Sequence, residues 1–165
     1  MIFIKWLLII TLLIVIAIVL AVLAGQLGML KGIAPADLGV HEGKLKPPAM
    51  TPNSVSSQAT LYPDHPQLNY ASIEPLPLIG DAATTMARIR SIIEGMEGTE
   101  VITSDEYYLY VQFTTRIMKF VDDAEFWFDP VAHVIQVRSA SRLGKSDLGM
   151  NRKRIEAIRA QLESS

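Results

Sequence analysis

Apolar and polar positions fall into three regimes along this chain. From Trp6 to Ala24 the sequence WLLIITLLIVIAIVLAVLA holds a single polar side chain, Thr11. As a helix rising about 1.5 Å per residue, the run is roughly 28 Å long, close to a bilayer's hydrocarbon thickness. It predicts a transmembrane anchor over residues 1–25. Between residues 26 and 66 no apolar period survives for more than a few positions, and Gly, Pro and Ser are scattered throughout. That composition predicts an irregular tether and loop region, whose latter part wraps the core or carries function. From residue 67 to 165 periodicity returns, in a stretch long enough for one modest core.

Within the last regime the period first favours helix. Ala82, Met86, Ile89, Ile93 and Met96 follow at spacings of 4, 3, 4 and 3, with Asp81 placed as a cap and Gly95 or Gly98 as a stop. The period then drops to two: Tyr107, Leu109, Val111 and Phe113 alternate with Tyr108, Tyr110 and Gln112. Further strands are expected at Arg116–Val121, Ala124–Phe128 and His133–Ala140, with an earlier one at Thr99–Thr103. Asp129-Pro130 supplies a turn. A closing helix is expected from Asp147, with Leu148, Asn151, Ile155, Ile158 and Leu162 on one face. That register buries the amide of Asn151, which then requires hydrogen-bond partners. The class is α+β: an antiparallel sheet flanked by two helices, behind one N-terminal transmembrane helix.

The alternative for the opening run is a cleaved signal peptide, but such peptides carry shorter apolar stretches, and Val22-Leu23-Ala24 is only a passable cleavage site. Lys5 flanks one side of the span and Lys31, Lys44 and Lys46 the other, so loop charge gives no clear orientation. The short N-terminal tail favours an inside N-terminus. That places the soluble part in the periplasm of a bacterium, beyond a single-pass inner-membrane anchor. The chain has no cysteine, which suits an oxidising compartment.

Charge changes the picture by region. A total of 15 basic against 17 acidic residues excludes a generic polycation seeking nucleic acid. Yet Glu97–Asp129 carries eight acids against Arg116 and Lys119, whereas Arg138–Arg159 carries seven bases against Asp147 and Glu156. Pairing across the sheet, with Arg138 reaching Asp122 or Asp123, is one expectation. An anion site is the sharper one: Arg138, Ser139, Ser141, Arg142, Lys145, Ser146 and Asn151 gather guanidinium forks, hydroxyls and a helix start. Arg152, Lys153 and Arg154 oppose the dipole of the last helix and call for compensation by the acidic segment, a bound anion or lipid headgroups.

Conventional catalytic patterns are missing. There is no G-x-S-x-G elbow, no phosphate-binding loop, no H-E-x-x-H and no dinucleotide fingerprint. His41, His65 and His133 are isolated in sequence and predict solvent-exposed loop positions rather than a metal site. Asp122 and Asp123 would form a dyad only across a bulge, since neighbours on a strand point to opposite faces. Neither a cofactor nor a metal is expected.

Four segments then carry a resemblance: PNSVSSQ (52–58), IEPL (73–76), FVDDAEF (120–126) and VRSASRLGKSDLGMNRKRIEAIR (137–159). Together they resemble the family called domain of unknown function 1499, over about residues 51–159. The resemblance implies a bacterial envelope protein, or a plastid relative, without an established activity. The family's motif usually reads P-N-C-V-S-S, and Ser54 stands at the cysteine position here, which argues against a thiol or covalent role. The matching polar positions are Asn53, Ser56, Ser57, Asp122, Asp123, Arg138, Ser139, Ser141, Arg142, Ser146, Asp147, Asn151 and Arg152.

These positions are the candidate ligand-binding or partner-binding set, and the 52–58 loop is expected to meet the 138–152 block in a single polar pocket on one side of the sheet. The functional expectation is a non-catalytic, membrane-anchored periplasmic module. Its partners would be membrane lipid, an integral-membrane complex in which it is an accessory subunit, or an anionic ligand. The alternative is an anion-binding protein or a hydrolase using Asp122 or Asp123 with Arg138 or Arg142.

Overall fold

The computed structural model describes residues 2–164. The apolar run forms helix α1, Ile2–Gln26, and no part of its most apolar stretch is covered by the rest of the chain. It is long and apolar enough to cross a membrane. The remaining elements are β1 (Ser54–Ser56), the single-turn helix α2 (Leu68–Ala71), helix α3 (Ala82–Glu94), strands β2 (Thr99–Ser104), β3 (Tyr108–Thr114), β4 (Val121–Asp129) and β5 (Val134–Ser141), and helix α4 (Met150–Glu163).

One antiparallel sheet runs in the order β1-β5-β4-β3-β2. Its period of two sorts side chains cleanly. Leu109, Val111 and Phe113 of β3, Ala124 and Phe126 of β4 and Ile135 and Val137 of β5 enter one core with Met86, Ile89 and Ile93 of α3 and Ile155, Ile158 and Leu162 of α4. The two helices therefore cover the same face. Asp81 caps α3 as its position predicts, its side chain accepting from Thr84 N at 2.7 Å, and Gly95 ends the helix. Gly98 must stay glycine: its φ is +75°, and an added Cβ would sit 2.2 Å from the Thr114 carbonyl oxygen.

Two expectations are corrected by the strands. Of the expected Arg116–Val121 strand, residues 116–120 form a turn and only Val121 is extended, as the first residue of β4. Thr115 N donates to the Phe120 carbonyl at 2.9 Å, Phe120 N donates to the Thr115 hydroxyl at 2.9 Å, and Lys119 is left-handed with φ of 56°. Ile117 is exposed whereas Val121, of the same parity, is buried, so the segment presents no shared buried face. Strand β4 instead starts at Val121 and runs without a break through Asp129.

The fifth strand comes from the region expected to be irregular. Ser54, Val55 and Ser56 pair with Ala140, Ser139 and Arg138 at the sheet edge. Upstream, residues 33–49 lie across the sheet face that the helices leave open. They are fastened by Gly39 N to Glu125 Oε1 (2.7 Å), Leu45 N to Gln58 Oε1 (2.8 Å) and Ala49 N to Ser54 Oγ (2.8 Å). This segment is a cover, and Leu45 within it is buried.

Candidate functional site

Residues of the 52–58 loop and the 138–152 block do come together, but the sheet divides them into two layers. Residues Asn53, Asp122, Ser139 and Ser141 point toward α4, whereas Ser54, Ser56, Asp123, Glu125, Arg138 and Arg142 belong to the face under residues 33–49. Ser56 and Arg142 thus share a face. The single pocket expected from sequence is replaced by two clusters back to back.

On the helix side Asn151 is the hub. It is fully buried, and its Oδ1 accepts from Ser139 Oγ (2.5 Å) and Arg154 Nη1 (3.0 Å). Its Nδ2 donates to Asn53 O (3.2 Å), Ser141 Oγ (3.1 Å) and Asp147 Oδ2 (2.8 Å). The partners that a buried amide demands are therefore present. Asn53 Nδ2 donates in turn to the Gly144 carbonyl at 2.9 Å, tying the edge strand to the loop before α4.

Asp147 sits ahead of α4 and caps it. Its carboxylate accepts from Asn151 N and Gly149 N, each at 3.0 Å, and from the Tyr70 hydroxyl. Burial alone would raise its pKa, but the Tyr70 hydroxyl and these backbone N–H groups outweigh that and hold it below the ordinary carboxylate value. Burial pushes the Tyr70 hydroxyl pKa up, and the Asp147 charge adds to the effect. Ser146 Oγ accepts from Leu148 N at 3.2 Å.

Two of the three bases that oppose the α4 dipole, Arg152 and Arg154, have partners within the fold. Arg154 Nη2 lies 2.7 Å from Asp122 Oδ2, and its guanidinium stands 4.3 Å from the Phe113 ring centroid. Arg152 donates to the carbonyls of Tyr70 (2.6 Å) and Ser72 (2.8 Å), and Arg159 to those of Pro75 and Glu74. Lys153 is exposed.

The opposite face holds a second set of ion pairs. Arg142 grips Asp123 through two nitrogens, at 2.8 and 2.7 Å, and the Tyr110 hydroxyl donates to the same carboxylate at 2.6 Å. The Asp123 contact raises the Arg142 pKa, while burial pushes that of Tyr110 up. Arg138 does not reach Asp122 or Asp123 as expected. Cross-strand register sets it opposite Glu125, with Nη1 3.6 Å from Oε2. Glu125 Oε1 also accepts from the Tyr108 hydroxyl at 2.8 Å. Arg138 Nη1 and Glu125 Oε2 have no hydrogen-bond partner, although Arg138 is 4% exposed and Glu125 is 0% exposed. Desolvation lowers the Arg138 pKa, with Glu125 opposing it. A cavity of about 220 Å³ adjoins Arg138, bordered also by Lys46, Pro47, Asp123 and Arg142.

The serines have structural partners. Ser56 Oγ accepts from Gln58 N, and Ser57 Oγ donates to Gln136 Oε1 at 2.6 Å while accepting from Val137 N at 2.8 Å. His133 is in the β4–β5 turn, edge-on to Phe128, and His41 is in the covering segment. Among the described residues no three His, Asp or Glu side chains gather to hold a metal. Sequence reasoning passed over Glu125, Tyr108, Tyr110 and Tyr70 as members of the set. The first three carried a signal: Glu125 shares the parity of Asp123 on its strand, and Tyr108 and Tyr110 share that of Gln112 on the next one.

As chemistry, this arrangement clamps. Asp122, Asp123 and Glu125 are each committed to an arginine, and Asp122 and Asp123 are separated by the sheet. A family profile described as protein of unknown function (DUF1499) matches residues 44–162. The chain belongs to that family. No curated protein matches it. The DUF1499 match starts within the covering segment and extends through β1 to α4, so it takes in both polar clusters. At Ser54, the position where the resemblance expects cysteine, the hydroxyl accepts from Ala49 N and helps hold the cover down.

Proposed function

We propose that this DUF1499 protein is a single-pass, membrane-anchored module of the bacterial envelope, non-catalytic, with its folded domain on the periplasmic side as an accessory subunit of a larger membrane complex. The observation that carries the reading is α1: 25 residues, almost wholly apolar, with its most apolar stretch covered by nothing else in the chain and only its end, at Gly25, buried. A soluble fold would bury such a helix; a bilayer removes the same apolar area from water. The committed state of Asp122, Asp123 and Glu125 supports a scaffold rather than a hydrolase, because none is left free to serve as base or nucleophile.

The test uses the full chain and exploits its lack of cysteine. A single Val131→Cys reporter, at an exposed turn, is treated with a membrane-impermeant thiol reagent in intact spheroplasts, and membranes are then extracted with alkaline carbonate. Labelling together with retention in the pellet is expected. Release into the supernatant, or a chain shortened after Ala24, would refute the anchor; labelling only after lysis would refute the orientation. Stoichiometric membrane proteins copurifying in mild detergent are expected for an accessory subunit, and purification as a lone chain would refute that part.

A second reading is favoured by one observation. Arg138 Nη1 is buried without a hydrogen-bond partner beside the 220 Å³ cavity, which suits a small anion such as phosphate or a carboxylate. Titrating the purified protein with inorganic phosphate or acetate, followed by Arg side-chain NMR shifts, supports it if Arg138 alone saturates and rejects it if nothing shifts.

A further inference from the structure

The end of the domain where α1 arrives differs from the opposite end. Helix α1 does not lead into a free tether. An added Cβ on Gly25 would lie 2.5 Å from the Met118 carbonyl oxygen, so the β3–β4 turn packs against the helix itself. Gln26 Nε2 donates to the Ile117 carbonyl at 2.8 Å. Farther along, an added Cβ on Gly32 would come within 3.1 Å of the Leu143 side chain. Turn 115–120, the chain just after α1 and the loop before α4 therefore meet at one end.

Depth follows from the helix. With Trp6–Ala24 filling the hydrocarbon, Gly25 and Gln26 fall at the headgroup boundary, and the turn touching them falls at the same level. That turn and its neighbours expose apolar side chains without internal partners. Ile117 is 61% exposed and Leu148 85%, and Leu27, Met29, Ile33 and Met150 are also exposed. Beside Leu148 and Met150 opens a cavity of about 290 Å³, edged by the apolar Phe120 and Leu143 and by the polar Asp122, Ser146 and Asp147. Lys31 and Lys145, both exposed, belong to the segments that meet here and add cations that suit an anionic interface.

Leu148 adds an independent sign. Its φ is +52°, a conformation that a leucine adopts only when its surroundings enforce it. The Asp147 and Ser146 bonds to the following N–H groups enforce it here, and the result is an apolar side chain pointed out of the fold.

We infer that this end of the domain is itself a lipid-binding surface: Ile117, Leu148 and Met150 insert at the headgroup–acyl boundary, and the cavity beside Phe120 and Leu143 takes part of a lipid. The inference rests on the anchoring reading and deepens it, since it fixes the domain against the bilayer rather than leaving it suspended. The occupant is lipid because the surface is continuous with the span at Gly25 and lies at its boundary depth.

The experiment places single cysteines in the full-length protein by Ile16→Cys, Ile117→Cys, Leu148→Cys or Val131→Cys, attaches a nitroxide, and reconstitutes each at low density in phosphatidylethanolamine–phosphatidylglycerol vesicles. Val131, 90% exposed, marks the far hairpin. Power saturation then compares oxygen with a water-soluble nickel complex. Several-fold higher oxygen-to-nickel ratios at 117 and 148 than at 131, with 16 deepest, are the expected result. Water-like ratios at 117 and 148 with a lipid-like 16 would overturn the docking and leave the anchor standing. A site 16 outside lipid would overturn both. Labels at 117 and 148 shielded from both reagents, or broadened by dipolar coupling, would show protein there instead of lipid and overturn the inference. Leu148→Asn, which tolerates the left-handed backbone, should lower the ratio at 117 without lowering the melting temperature; an unchanged ratio would remove Leu148 from the surface.

Discussion

The two faces of the sheet are built from the same strands yet held by different physics. Beneath α3 and α4 the residues of one parity are mainly Ile, Leu, Val and Phe, and burial of apolar area holds the layer. Beneath residues 33–49 the other parity supplies Ser54, Ser56, Asp123, Glu125, Arg138 and Arg142, and the layer closes through ion pairs and single hydrogen bonds to a backbone cover. Apolar packing tolerates imprecision; a buried charge does not, because each unmatched group carries its whole desolvation cost. The difference teaches that the cover is specified by chemistry rather than by hydrophobicity. That is also why its segment shows no apolar period.

The sharpest break in this comparison is Arg138→Ala. Removing the cation strands Glu125 in a buried site, and a loss of about 4 kcal/mol in denaturant unfolding is expected. Arg138→Ala with Glu125→Gln should recover more than half of it, since no bare charge remains; no recovery would mean that Glu125 is not stranded. Next in size is Asn151→Ala, which leaves Ser139 Oγ and Arg154 Nη1 without their acceptor and should cost about 3 kcal/mol. The same melt measured on Asp147→Asn should show about 1 kcal/mol lost at neutral pH, as a cap is weakened. Its pH dependence has a defined sign. The folded-state pKa of Asp147 is lowered, so the stability it contributes is complete above the ordinary carboxylate value of 3.8 and disappears as pH falls through the folded value. The Asn variant should therefore show a flatter stability profile below that value; an identical slope would deny the carboxylate its role. At the small end, Arg90→Ala removes an exposed i,i+4 pair with Glu94 and should change stability by less than about 0.5 kcal/mol. A loss comparable with that of Arg138→Ala would erase the distinction between buried and exposed pairs.

Much of the apolar face was legible from sequence. The 4-3-4-3 spacing placed α3, the alternation through Phe113 placed β3, and the α4 register put Asn151 in the buried stripe, where it is, although Leu148, expected on the same face, lies before the helix and is exposed. The polar face was less legible. Alternating parity did separate Asp122 from Asp123, but which arginine each would meet depended on a register that begins only after the 115–120 turn. Taking Arg116–Val121 as a strand obscured that register, and so Glu125 was missed as the partner of Arg138. Edge strand β1 spans only three residues, all buried, and gives no alternation to detect. The covering segment was hardest, because its fastenings are backbone N–H groups of Gly39, Leu45 and Ala49, which leave no mark on residue type.

That covering segment is where the account is most exposed, and hydrogen–deuterium exchange of the full-length protein reports on it directly. The account predicts slow exchange at the Gly39, Leu45 and Ala49 amides, and a selective loss of protection at Gly39 in Glu125→Ala while α3 and α4 stay protected. Fast exchange throughout residues 33–49 in the wild type would contradict it, returning that segment to a free tether and leaving the Glu125–Arg138 layer open to solvent.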